Sequence, residues 1–250
     1  KDWRETAVHI ALAYPDAYDI GMSNMGIGIL YDILNKVDDI ACERTFAPWE
    51  DMEAEIRREK VPLWSLETRT PIKDFDVLGF TLQYEMTYTN VLNILDLSGI
   101  PVWARDRTGE HPLVIAGGSG GFNPEPLSPF VDAFFLGEGE DAVIELADLV
   151  RDWKRAGTPR MERLRSLLKM PGVYVPAFYE ARYGADGHFL ALEPTTAEAP
   201  AVITRRIIEK LPPALVRPIV PFLQTIHDRA AVEIQRGCTQ GCRFCQAGMI

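Results

Sequence analysis

The run Asp76-Val77-Leu78-Gly79-Phe80-Thr81-Leu82 is nearly continuous in apolar residues. Similar short runs occur at Val8 to Ala13, Leu113 to Ala116 and Ala133 to Leu136. Strands this apolar have to be covered on both faces, which is typical of a parallel sheet with helices on each side. The sequence therefore predicts an α/β fold for residues 1–157.

Four segments of this region have the pattern of helices: Met25 to Lys36, Pro48 to Glu59, Thr87 to Ser98 and Asp141 to Ala156. Gly157 follows the last of them, as glycine commonly follows a helix C-terminus. Helices therefore alternate with buried strands along residues 1–157, as in a parallel sheet with helices on each side.

Three turns that follow predicted strands are rich in glycine: Gly21 to Gly28, Gly117 to Gly121 and Gly137 to Glu140. Glycines at one such turn can serve the turn alone. Parallel sheets bind ligands beyond the carboxyl ends of their strands, and three such turns meet at one edge. We therefore predict a ligand crevice there, with Gly117, Gly118, Gly137 and Glu138 as cofactor-binding residues.

The pattern changes after Gly157, and we predict three regions. Residues 1–157 form the α/β domain, residues 158–225 an α+β connector with a proline-rich linker, and residues 226–250 the start of a further domain. The elements predicted for the last two regions are a helix at Met161 to Lys169, a hairpin of Val173 to Tyr183 with His188 to Leu192, a strand at Ala201 to Ile208 and a strand at Ala230 to Gln235.

Composition limits the classes of partner. The chain has 26 Lys and Arg against 36 Asp and Glu, a formal net charge of −10, so it has no general attraction for nucleic acids or anionic membranes. No apolar run reaches the roughly 18 residues of a membrane span. The N-terminus lacks an apolar signal core. We expect a cytoplasmic protein and, since the chain has no initiator Met and stops abruptly, an N-terminal fragment.

The cysteines are unevenly placed: Cys42 stands alone, whereas Cys238, Cys242 and Cys245 lie within eight residues. Clustered cysteines in a chain that is not exported indicate a metal or redox site. Structural zinc sites use four ligands, and the nearest histidine, His227, is eleven residues upstream of Cys238. Three thiolates without an evident fourth ligand suit a [4Fe–4S] cluster with one open iron.

The loop resembles the C-x3-C-x-φ-C signature of the radical S-adenosylmethionine (SAM) superfamily, in which φ is aromatic, here Phe244. The resemblance implies that Cys238, Cys242 and Cys245 ligate the cluster, that SAM binds the open iron, and that Phe244 lies at the cofactor. It also implies reductive cleavage of SAM to a 5′-deoxyadenosyl radical, an electron donor such as a flavodoxin or ferredoxin, and a (β/α) barrel whose first strand precedes the loop. The substrate and the catalytic residues acting on it are unknown. The alternative is a non-enzymatic scaffold with structural zinc.

A second resemblance covers the first domain. Asp76 to Thr81, Gly117-Gly118, and Asp132 ahead of Gly137 to Glu140 resemble the flavodoxin-like, cobalamin-binding-type domain that precedes the barrel in many radical SAM proteins. The longer run from Leu12 to the cysteine loop is similar to one uncharacterised subfamily of these proteins. It includes Asn123 to Pro126 and His227 to Ala230.

One departure concerns cobalt. Cobalamin-dependent mutases carry Asp-x-His-x-x-Gly after the first strand, but Tyr14 to Leu30 contains no histidine. We interpret His9, which lies within the strand, as a packed or hydrogen-bonded residue. Either cobalamin binds without a protein histidine, which would make methyl transfer plausible, or the domain keeps the fold and has lost the cofactor.

Two further alternatives concern charged residues. Gly137 to Ala142 formally fits the G-x-G-x-x-A dinucleotide fingerprint, but its carboxylates would face a pyrophosphate. Arg236, just before the cysteine loop, and Arg243, within it, bind SAM or substrate anions, or only offset the charge of the cluster. Because a barrel needs roughly 200 residues or more, we expect these 250 residues alone to be inactive.

Overall fold

A six-stranded sheet organises the computed structural model, which describes residues 1–213, 215–227, 229 and 231–248. The strand order is β2-β1-β3-β4-β5-β6, and the first five strands are parallel. This is the flavodoxin-like order, and the prediction of a doubly covered parallel sheet is confirmed. The strands are β1 (Val8–Tyr14), β2 (Ile40–Phe46), β3 (Val77–Thr81), β4 (Leu113–Gly117), β5 (Ala133–Phe135) and β6 (Val173–Tyr174).

Helices cover both faces of the sheet because alternate residues of each strand point to opposite sides. On β1, Ile10 and Leu12 belong to one apolar cluster, whereas Ala11 and Ala13 belong to the other. The helices are α1 (Tyr18–Gly21), α2 (Met25–Asn35), α3 (Glu50–Glu59), α4 (Tyr88–Leu97), α5 (Glu140–Ala156) and α6 (Arg160–Leu167). The first cluster contains side chains of α2, α5 and α6, and the second contains side chains of α3 and α4.

The register brings the carboxyl ends of three central strands together. Thr81 pairs with Gly117, and Gly117 pairs with Phe135. The turns that follow β3, β4 and β5 therefore leave the sheet at one edge. The helices that start beyond this edge, α4 and α5, begin at Tyr88 and Glu140.

The packed core continues past Gly157. Helix α6 buries Leu164 and Leu167 against it, and β6 adds an antiparallel strand beside β5. A separate two-stranded hairpin follows, formed by β7 (Tyr179–Tyr183) and β8 (Phe189–Pro194). The predicted division of the chain after residues 157 and 225 stays a prediction.

Three predicted strands beyond Gly157 need correction. The segment 173–183 is not one strand, because a turn at Pro176–Phe178 divides it into β6 and β7. In the segment 201–208, only Arg206 forms a bridge, to Gly137. In the segment 230–235, residue 230 lies outside the described residues, and residues 231–235 are irregular backbone. The predicted first strand of a barrel is therefore not formed in the described part of the chain.

A buried ionic cluster joins the start of β5 to the connection between α4 and β4 and to α6. Asp132 Oδ2 accepts hydrogen bonds from Arg107 Nη1 at 3.0 Å and from Arg160 Nη2 at 2.6 Å. The Arg107 side chain is completely buried, and burial lowers its pKa although Asp132 opposes that shift. Removal of one partner would leave a buried charge unpaired, so the cluster fixes where β5 starts.

No helix in the described part of the chain is both long and apolar enough to cross a bilayer.

Candidate functional site

A crevice of about 710 Å³ opens at the carboxyl edge of the sheet. Its apolar floor includes Leu12, Ile115 and Phe135. The four residues predicted to bind a cofactor all line it, namely Gly117, Gly118, Gly137 and Glu138. Polar groups near its rim include Thr81, Gln83 and Ser119. The crevice is thus mainly apolar with a few polar groups at its rim, which is typical of small-molecule sites.

Two of these glycines are required by the packing of the protein itself. Gly118 has φ +95°, and a Cβ atom there would lie 2.4 Å from the carbonyl oxygen of Leu82. Gly137 has φ +98°, and a Cβ atom there would lie 2.0 Å from the carbonyl oxygen of Arg206. Their conformation and crowding account for glycine at both positions without a ligand.

The backbone of Arg206 occupies the space beside Gly137. Its amide donates to the Leu136 carbonyl at 2.9 Å, and its carbonyl accepts from the Glu138 amide at 3.0 Å. Its guanidinium donates to both carboxylate oxygens of Glu145 on α5. The Arg206 backbone thus accounts for glycine at position 137, the first glycine of the dinucleotide fingerprint, without a bound pyrophosphate. Sequence reasoning missed Arg206 because its hydrogen-bond partners, Leu136, Glu138 and Glu145, lie 60 residues or more away in sequence.

Residues 232–236, here called the arm, form the outer wall of the crevice. Although the arm is irregular, its last residue is firmly bound. Arg236 Nη1 lies 3.2 Å from Glu138 Oε1, and its Nη2 pairs with Glu140. Within the arm, Arg236 Nε donates to Glu233 Oε1 at 2.6 Å. The arm thereby connects the strand-to-helix turn before α5 with the cysteine loop.

These contacts change the interpretation of the two arginines near the loop. The Arg236 pKa is raised by its hydrogen bond to Glu233 and, despite partial burial, by its contacts with Glu140. All three of its nitrogens face carboxylates, so this arginine is engaged within the protein. Arg243 is exposed and remains the candidate for binding an external anion.

The cysteine loop has the donors for a metal cluster, but its thiols are not collected around one point. Cys238, Cys242 and Cys245 are exposed. A turn joins the last two, since the Cys245 amide donates to the Cys242 carbonyl at 3.0 Å. Within the described ranges, no three His, Cys, Asp or Glu side chains form a potential metal site. Three soft thiolates nevertheless fit iron in donor chemistry.

Phe244 and Cys42 differ in their exposure to solvent. Phe244, expected at the cofactor, is 92% exposed. Cys42 lies on β2 and is buried, which raises the pKa of its thiol well above the usual value. A thiol so disfavoured as thiolate is a poor metal ligand. The structure therefore separates Cys42 from the three cysteines of the loop.

Among the described residues that line the crevice there is no histidine. His9 lies near the opposite, amino-terminal end of β1. Its ring stacks on Trp3 with 3.8 Å between ring centroids, and its Nε2 lies 3.0 Å from the Thr6 hydroxyl. The interpretation of His9 as a packed and hydrogen-bonded residue agrees with these contacts. The residues at the crevice thus offer no imidazole to a cobalt ion.

Comparison with known proteins assigns the family. Residues 26–176 match the family model described as "Radical SAM proteins, N-terminal". The chain belongs to this family. The match runs from the first turn of α2 through β6, so it contains the glycine turns at residues 117–121 and 137–140 and ends before the cysteine loop. In this radical SAM protein the family model thus covers strands β2 to β6 of the sheet, whereas β1 precedes the match.

Individual relatives are distant. An uncharacterized protein of Methanocaldococcus jannaschii is 23% identical over 246 residues, which are 97% of this chain and 41% of that protein. Two structures of the radical SAM methyltransferase TsrM from Kitasatospora setae are each 16% identical. One, with tryptophan and a SAM analogue bound, gives a TM-score of 0.40 over 72% of this chain and 29% of that chain. The other, with cobalamin and a [4Fe–4S] cluster bound, gives 0.43 over 79% and 30%.

Proposed function

We propose that this radical SAM protein carries a [4Fe–4S] cluster on Cys238, Cys242 and Cys245 and cleaves SAM reductively to act on a substrate that is not yet identified. The observation that carries the proposal is the three-thiol loop, which starts two residues after Arg236 at the wall of the crevice. When bound, the cluster supplies one electron to the sulfonium of SAM, received from a donor such as a flavodoxin or ferredoxin.

Three features of the chain support this proposal. The glycines at positions 237 and 241 have φ of +73° and +62°, so the backbone can bend around a compact site. Arg243 and the exposed Phe244 flank the thiols and supply a cation and an apolar ring toward SAM. The crevice lies on the other side of the arm, where a second ligand would be close to the loop.

Cobalamin-assisted methyl transfer is the narrower form of the proposal. The mainly apolar crevice can accept one face of a large planar group, while its glycine turns present backbone groups. Because the described lining contains no imidazole, a cobalamin held there would have no histidine ligand from the loop after β1. If cobalamin does not bind, we propose that the crevice presents the substrate.

The test is anaerobic reconstitution of the natural full-length protein with iron and sulfide. We expect about four irons per chain and visible thiolate-to-iron absorbance. Replacement of any one of Cys238, Cys242 and Cys245 by Ala should abolish both signals. The matched control is C42A, which should keep them because Cys42 is buried on β2.

Two results would contradict the proposal. Loss of iron in C42A as complete as in the loop variants would show that the loop is not a three-ligand site. Stoichiometric zinc in protein purified anaerobically, with no iron or sulfide taken up on reconstitution, would instead support the scaffold with structural zinc.

A further inference from the structure

We propose that Arg236 is a positioning residue, which Glu138 and Glu140 hold so that the cysteine loop stays at the mouth of the crevice. The inference rests on the proposed function, since the loop it positions is the one assigned to the cluster. In this proposal, the acidic turn before α5 holds the arm in place through Glu138 and Glu140.

The first argument is electrostatic. The side chains of Arg236, Glu138 and Glu140 are 25%, 20% and 10% exposed, so their charges are partly removed from water and attract more strongly than surface pairs do. Glu140 begins α5, where the helix dipole also favours a carboxylate. With Glu233 adjacent, three carboxylates would repel one another without the guanidinium between them.

The second argument is that the holding residues are themselves fixed. The Glu138 amide donates to the Arg206 carbonyl, and its Oε2 accepts the Ile208 amide. Gly137 packs directly against the Arg206 backbone. The carboxylate that faces Arg236 is therefore held at the edge of the sheet, because both the backbone and the side chain of Glu138 are bonded to the segment 206–208.

The third argument is the length of chain between the anchor and the thiols. Cys238 is two residues after Arg236, and two residues span at most about 7 Å. Restraint of the Arg236 backbone therefore keeps the Cα atom of Cys238, and with it the first thiol of the loop, close to the anchor. Arg243 differs, since it is exposed and forms no ion pair in the described ranges. It provides a matched control within the same loop.

Limited trypsin digestion of the 250-residue chain tests the anchor. Cleavage after Arg236 is compared by mass spectrometry with cleavage after Arg243 in the same molecules. Proteolysis follows the population of the opened segment, so E138Q/E140Q should raise the Arg236 to Arg243 ratio about tenfold. The control is D141N, which neutralises the adjacent, exposed carboxylate on α5 and should leave the ratio unchanged.

A distance measurement tests positioning separately from stability. Nitroxides are attached to Cys238 and to the exposed helix position of D152C, in a C242S/C245S background in which Cys42 is buried. Pulsed electron paramagnetic resonance should give a narrow distance distribution in this background and a broad one after R236Q. R236K, which keeps the charge but loses the planar fork, should be intermediate, and R243Q should remain narrow.

An unchanged cleavage ratio in E138Q/E140Q, an equal rise in D141N, or equal distance distributions in the R236Q and R243Q backgrounds would overturn the proposal. Neither measurement uses iron. Failure of reconstitution would therefore contradict the proposed function while the anchor persists, and failure of these two tests would remove the anchor while the cluster can still form.

Discussion

Gly137 is the residue at which the sheet, the crevice and the later part of the chain meet. Its φ of +98° and the Arg206 carbonyl, which would lie 2.0 Å from a Cβ atom at this position, leave no space for a side chain. We expect G137A to lower the free energy of unfolding by roughly 3 kcal/mol, through strain and displacement of Arg206. Urea denaturation of the 250-residue chain measures this loss.

The matched control is G157A. Gly157 also has positive φ, +63°, but nothing lies within 4 Å of its Cβ position. That substitution should cost only about 1 kcal/mol, the penalty of the left-handed conformation. Equal losses for the two variants would show that the Arg206 contact adds nothing, and would contradict the packing account of Gly137.

The position of single residues is easier to predict from the sequence than the reason for their identity. The sequence predicts a crevice lined by four residues, and all four line it: Gly117, Gly118, Gly137 and Glu138. The sequence does not predict why Gly118 and Gly137 have to be glycine, because the carbonyl groups that crowd them, those of Leu82 and Arg206, are distant in sequence. The binding of a cofactor by these four residues stays a prediction.

Among the elements, β1, β3 and α5 share one carboxylate. Asp76 precedes β3, and its Oδ2 accepts the His9 amide and the Lys154 ammonium, each at 2.8 Å. Burial alone would raise the pKa of Asp76, but the hydrogen bonds from His9 and Lys154 outweigh burial and hold the pKa below its usual value. A carboxyl with a depressed pKa stabilises the fold above its unfolded pKa, about 3.9.

We therefore expect D76N to be less stable than the parent chain by about 1 kcal/mol at pH 7. The difference should shrink as the pH falls through the folded pKa of Asp76, because the carboxylate is then protonated in the parent chain as well. Urea titrations between pH 7 and pH 3 check this. D74N, which changes an exposed neighbour, is the control, and a difference for D76N that stays constant with pH would contradict the assignment.

The elements also show where sequence patterns were sufficient. The apolar runs identified β1, β3, β4 and β5, and helical spacing identified α2 to α6. Strand β2 was not predicted, because its centre carries Glu43, Arg44 and Thr45. These polar residues are buried through distant partners, such as Glu67 for Arg44 at 2.8 Å. The segment 231–235 has apolar alternation, but without a neighbouring strand to pair with, its backbone stays irregular and Glu233 turns to Arg236.

At the scale of the whole molecule, the lining of the crevice predicts that a bound cobalamin has no histidine ligand from this protein. Hydroxocobalamin is titrated into the protein and, after one-electron reduction, examined by electron paramagnetic resonance. If it binds, we expect no nitrogen hyperfine splitting from a protein imidazole, since no histidine lies among the described lining residues. Such a splitting would contradict the prediction, and a complete absence of binding would favour a domain that has lost the cofactor.

The order of the elements along the chain has a consequence for biosynthesis. The six-stranded sheet is complete at Tyr174, whereas the crevice wall is supplied by residues 232–236. Ribosomes add about 5 to 20 residues per second, so the intervening chain takes roughly 3 to 11 s to make. If the sheet folds as it is made, it presents a crevice without this wall during that interval. A ligand too large to pass the arm would then have its opportunity to enter during translation.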